Sequence, residues 1–189
     1  MSIIKNVNVG EKLCEHIRLA SSGANTCIVV VVFISDSDLV FMAHLDSVLL
    51  GHEPALPLVN AKRIIEIVLQ MFCESNDDAI AESVFLYGGV SNSDNNAIDT
   101  SLMAIRLMNN DIFPEDPMVN VDKFRKFIAT SRFHNVSFNL ASSFNPNDDD
   151  NELNWVSDIT IVCDRSTVPI TLALIQYAGQ EREITGDRS

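Results

Sequence analysis

Basic residues are scarce in this chain. Thirteen Lys and Arg stand against 26 Asp and Glu, giving a formal net charge of −13. Nucleic-acid binding draws on Lys and Arg to displace condensed counterions. The lack of a basic stripe therefore argues against nucleic acid as a partner, and disfavours anionic membrane surfaces for the same reason. Long apolar runs are missing too. The longest, Cys27 to Ile34, has eight residues, against the roughly 18 that a bilayer span requires. The opening MSIIKNVNVGEKLCEH lacks a basic segment followed by an apolar one, so no secretory leader is expected. The four cysteines, Cys14, Cys27, Cys73 and Cys163, are far apart and form no CxxC pair. That argues against zinc and against a disulfide framework, and points to reduced thiols in the cytoplasm. No metal and no cofactor is expected. The acidic run at 148–150 lacks the glycine and the distal glutamate of a calcium loop, and reads as a solvated turn.

What is present fits one domain over 1–189, with 47% hydrophobic residues, enough for a sizeable core. The acidity keeps the chain soluble, or attracts a basic protein or a substrate carrying an ammonium group. Residues 1–20 read as an irregular or short helical lead-in. The β-branched run 27–34 predicts a strand buried on both faces. Ser35 to Asp38 is turn chemistry, and 39–44 predicts a second strand, closing a β-hairpin. Gly51 to Pro57 reads as a loop. Apolar positions 64, 65, 68, 71 and 72 predict a helix over 60–74 with Asn60 as its N-cap.

A strand is expected at 83–87, stopped by Gly88 and Gly89. Residues 102–108 read as helical, FPEDP at 113–117 as a break, and 119–132 as an amphipathic helix with Val121, Phe124, Phe127 and Ile128 on one face. Strands are expected at 136–140, 156–163 and 168–175, the last two as a closing hairpin, and the tail after Gly179 reads as frayed. The order predicts a layered α/β (α+β) single domain with a central, mostly antiparallel or mixed sheet flanked by helices.

The stretch SSGANTCIVVVVF, 21–33, puts a thiol where a polar loop enters a buried strand. If Asp36 and Ser37 form a two-residue turn, or Ser35 to Asp38 a four-residue one, the hairpin register sets Cys27 opposite Asp46 and His44 opposite Val29. Alternation then places Cys27, His44 and Asp46 on one face, the first two as diagonal neighbours. A thiol beside an imidazole is the minimum for thiolate catalysis. With four cysteines and four histidines (His16, His44, His52, His134), a structural thiol beside an unrelated strand-end histidine remains the plainer alternative. Cys14 and His16, two apart, point to opposite sides of a helix and read as structural. Cys73 and Cys163 read as core residues, and Trp155 as packing.

Ser21, five intervening residues, Cys27, an aliphatic strand, His44-Leu45-Asp46, and a later strand ending in Gly88-Gly89-Val90-Ser91 together resemble the cysteine amidohydrolases of two related families. These are the bacterial chemoreceptor glutamine deamidases (the CheD proteins) and the eukaryotic protein N-terminal asparagine amidohydrolases. Thr26-Cys27, His-x-Asp and Gly-Gly-x-Ser lean toward the second. The match spans roughly residues 20–95, with a looser echo at 120–140. The chain departs from the pattern in being shorter than the eukaryotic enzyme, in carrying Ser21 where the receptor deamidases carry Thr, and in extra sequence between Gly89 and the helix near 120.

The resemblance implies a CheD-like fold and hydrolysis of the side-chain amide of Asn, favoured at an N-terminus, or Gln. Cys27 is then the nucleophile, His44 the base, and Ser21 the group that holds the imidazole, with Ser22 and Asp46 as alternatives for that role. Thr26, Gly89 and Ser91 become substrate-side residues with Ser22 and Gly88, the two glycines allowing close backbone approach. Asp46 could read a substrate α-ammonium. The implied partner is a protein or peptide bearing Asn or Gln. The rival reading is a catalytically silent module of the same fold that holds a basic partner through its acidic surface.

Overall fold

The computed structural model describes residues 4–16, 18–24, 27–46, 48, 57–88, 96–114, 117–134, 136, 138–141, 159–164, 171–176 and 181–184. In chain order the elements are β1 Lys5–Asn6, β2 Lys12–Glu15, β3 Leu19–Ser21, β4 Ile28–Ile34, β5 Val40–Leu45, α1 Pro57–Ser75, β6 Ala81–Gly88, α2 Asn96–Asn109, α3 Val121–Thr130, β7 Phe138–Ala141, β8 Ile159–Asp164, β9 Thr171–Gln176 and β10 Glu181–Ile184.

The α+β class holds, but the described strands form two sheets where one was expected. The order is β2-β5-β4-β6-β7 in one and β1-β3-β8-β9-β10 in the other. Both are mixed, because β6 runs parallel to β7 and β1 parallel to β3 while the other pairs are antiparallel.

β4 explains the layering. All seven of its residues are buried, and period-2 alternation sends them to two different cores. Ile28, Val30, Val32 and Ile34 join Phe41, Ala43 and Leu45 in a core covered by α1, α2 and α3, through Leu58, Ile65, Phe72, Ile105 and Phe124 among others. Val29, Val31 and Phe33 join Val40, Met42 and Tyr87 on the opposite face, packed against Val7, Leu19, Ile161 and Cys163 of the second sheet and its flanks. A continuous aliphatic run is what a strand needs when both faces are covered. At about 1.5–3 kcal/mol per large buried aliphatic side chain, this strand is the main joint between the layers.

α1 starts at Pro57, where a missing N–H costs nothing. Asn60 is thus one turn inside the helix and 3% exposed, not its cap. Asn120 does cap α3, accepting from the Lys123 backbone N–H at 2.9 Å.

Two further expectations fail at the ends of the chain. Residues 1–20 carry β1, β2 and β3 in place of a lead-in, and the segment after Gly179 carries β10, paired with β9. Strands of two to four residues are too short to show a period, and pairing with a neighbouring strand creates them. Cys14 accordingly lies on β2, not on a helix, and donates to Asn76 Oδ1 at 3.0 Å; exposed His16, just past the end of β2, meets Asp38 at 2.6 Å. The Gly51–Pro57 loop before Pro57, the turn at 165–167, Trp155 and the acidic run at 148–150 lie outside the described residues.

Candidate active site

His44 lies on β5 facing the inter-sheet layer, and it is completely buried. Ser21, at the end of β3 and also completely buried, meets it: Ser21 Oγ is 2.8 Å from His44 Nδ1. Ser21 Oγ also lies 2.6 Å from the carbonyl oxygen of Val7. The expected role of Ser21 as the imidazole's partner is thus matched in geometry. Exposed Ser22 does not share it. The other ring nitrogen, Nε2, is buried and has no hydrogen-bond partner among the described residues. Burial pushes the His44 pKa down, partly offset by the nearby charge of Asp46 and by the Val7 carbonyl. A neutral imidazole with one free nitrogen is the form a base requires.

Cys27 sits one residue before β4 and is half-buried. The β4–β5 register is the expected one, with Ile28 opposite Leu45 and Val29 opposite His44. Carried one step further, it sets Cys27 opposite Asp46 and diagonal to His44, two positions from Val29 on the inter-sheet face. No hydrogen bond joins the Cys27 thiol to His44 in this structure. Catalytic contacts of this kind are often open until a substrate closes them.

Gly88 packs against the backbone of Cys27. It ends β6 opposite Ile28, with φ +112°. A Cβ placed on it would lie 2.2 Å from the Cys27 carbonyl oxygen and 3.1 Å from that of Ala24. The close approach is to the backbone carrying the thiol. Asp46 is half-buried, and its Oδ1 accepts from the Val48 N–H at 3.0 Å, closing the turn after β5. Thr26, Gly89 and Ser91 lie outside the described residues.

Sequence reasoning missed the strap at Val7–Glu11. Val7 donates to the Ala20 carbonyl at 2.8 Å, the Gly10 N–H donates to the His44 carbonyl at 2.8 Å, and the His44 N–H donates to the Glu11 carbonyl at 3.1 Å. These are main-chain bonds, so no residue type announces them. The sharpest local signal is Gly10, whose φ of +80° turns the chain.

The chain matches no protein-family model and no curated protein. Among the described residues, no group of three His, Cys, Asp or Glu could hold a metal ion, and no helix is long and apolar enough to cross a membrane. Two grooves lie away from Cys27. One of 220 Å³ runs beside Phe113, Arg125 and His134, and one of 490 Å³ runs between α1 and α3.

Proposed function

We propose that this protein is a cysteine-dependent amidohydrolase that hydrolyses the side-chain amide of Asn, favoured at an N-terminus, or of Gln in a protein or peptide. The observation that carries the reading is the buried Nε2 of His44, without a hydrogen-bond partner among the described residues, while its Nδ1 is anchored on Ser21; extending the β4–β5 register by one residue brings Cys27 toward the same face. A buried polar atom without a partner is costly, about 1–3 kcal/mol. A proton acceptor kept free for chemistry accounts for that cost.

In this reading His44 Nε2 takes the proton of the Cys27 thiol. The thiolate attacks the carboxamide carbon, and the tetrahedral oxyanion is met by the Cys27 N–H and a neighbouring loop amide. The C–N bond breaks as His44 returns its proton to the departing ammonia. Water then adds to the thioester with His44 again as base, releasing the carboxylate and the thiol. The sum is amide plus water giving carboxylic acid plus ammonia, with no redox step and no cofactor. In the same reading Asp46, two residues after His44, meets a substrate α-ammonium, which favours an N-terminal Asn. The CheD-like fold and a cytoplasmic setting belong to the same proposal.

The test is ammonia release from an N-terminal Asn peptide and from a folded protein with accessible Gln side chains, comparing wild type with Cys27→Ala. Release by wild type alone supports the reading, and the substrate that releases identifies the subclass. Release from neither leaves the acidic binding module as the better account. Scission of a main-chain bond would point to a peptidase.

A further inference from the structure

We infer that the Val7 backbone carbonyl sets the direction of the hydrogen-bond chain through Ser21, fixing neutral His44 as the Nδ1–H tautomer and making the strap Val7–Glu11 a positioning element of the site. A serine hydroxyl has one hydrogen to give. Ser21 Oγ stands 2.6 Å from the Val7 carbonyl oxygen, which can only accept. Two oxygens that close need a proton between them, so the hydroxyl donates to Val7. Its remaining contact, 2.8 Å to His44 Nδ1, must then be one in which the oxygen accepts. Nδ1 carries the hydrogen, and the lone pair falls on Nε2, the atom left without a partner.

Local structure explains why this carbonyl is where it is. Val7 is fully buried, and its N–H is held by Ala20, the residue before Ser21. The following turn is closed twice, by the Glu11 N–H on the Asn8 carbonyl at 2.9 Å and by the Glu11 carboxylate accepting the Asn8 N–H at 3.0 Å. Gly10 and Glu11 then clasp both main-chain groups of His44. One short segment thus holds the histidine's backbone and, through Ser21, the orientation of its ring. The chain serves the charged ring equally well, because imidazolium also has an N–H at Nδ1. Nothing need rotate when Nε2 takes or gives a proton.

The inference deepens the proposed activity but is read separately from it, by 15N NMR of the uniformly labelled full chain at a pH where His44 is neutral. His44→Gln assigns the ring signals. The expected spectrum has a protonated Nδ1 and a bare Nε2; Ser21→Thr keeps it, and Ser21→Ala shifts it toward the Nε2–H form. A wild-type ring protonated at Nε2 overturns the inference, as does an unchanged tautomer in folded Ser21→Ala. Should Ser21→Ala fail to fold, the wild-type spectrum and Ser21→Thr still decide. An Nδ1–H ring in a protein that releases no ammonia would sink the activity alone. Ammonia release with an Nε2–H ring would sink the relay alone.

Discussion

Gly88 and Cys27 touch through their backbones: a single methyl added at Gly88 would stand 2.2 Å from the Cys27 carbonyl oxygen. The contact ties the end of β6 to the peptide that carries the thiol. Gly88→Ala is therefore expected to be destabilising by more than about 1 kcal/mol, since φ +112° also disfavours any side chain. Any folded fraction is expected to lose amide hydrolysis through a displaced Cys27. Chemical denaturation and ammonia release on the same sample check both. A folded, fully active Gly88→Ala would show that the position of Cys27 is not set there.

Cys27→Ala is expected to lower kcat/KM for ammonia release by on the order of a thousand-fold or more, with stability nearly unchanged because the side chain is only half-buried. Cys163→Ala is the contrasting case. That thiol is completely buried between the sheets, so the substitution should lower stability by about 1 kcal/mol and leave the reaction in place. A pattern in which both variants lose activity in proportion to lost stability would remove the special role of Cys27.

Acid should weaken the fold through His44. Its pKa is lowered by burial, so on acidification the unfolded chain takes up a proton near pH 6.5 while the folded one does not. The contribution is fully present above that pH and is lost as the pH falls below it, at up to about 1.4 kcal/mol per pH unit. Stability measured against pH should therefore fall less steeply below 6.5 in His44→Gln than in wild type. Parallel curves would contradict the burial of a neutral ring.

Asn109, at the end of α2, gives a control remote from the thiol. Its side chain holds both main-chain groups of Phe138, donating to the carbonyl at 2.5 Å and accepting from the N–H at 3.0 Å, as a neighbouring strand would. Asn109→Ala is expected to cost about 1–3 kcal/mol and to loosen β7, with kcat per folded molecule unchanged. Urea denaturation and active-site titration read the two separately.

These contrasts also mark what the amino-acid order made legible. The β4–β5 hairpin and its register, with Val29 opposite His44, followed from an aliphatic run, four turn residues and the period of a strand. Ser21 was within reach as a site residue through its spacing before Cys27 in a pattern resembling known deamidases. Of the second sheet only the β8–β9 pair was legible, because β1, β3 and β10 are too short to carry a period and exist only through the strands they pair with. The strap across His44 was hidden for a different reason: its contacts are made by main-chain groups common to every residue. Asn60 misled because a good capping residue stood one turn inside a helix that Pro57 could start just as well.

The central claim is proton exchange between Cys27 and His44, and the rate of alkylation tests it most directly. Wild type and His44→Gln are treated with iodoacetamide near neutral pH, and each thiol is followed by peptide mass. Cys163 is buried, and burial pushes the Cys14 thiol up, so neither should compete. The account predicts that Cys27 is labelled first in wild type and slows several-fold in His44→Gln. Cys27 labelled no faster than Cys73, or at a rate indifferent to His44, would contradict it.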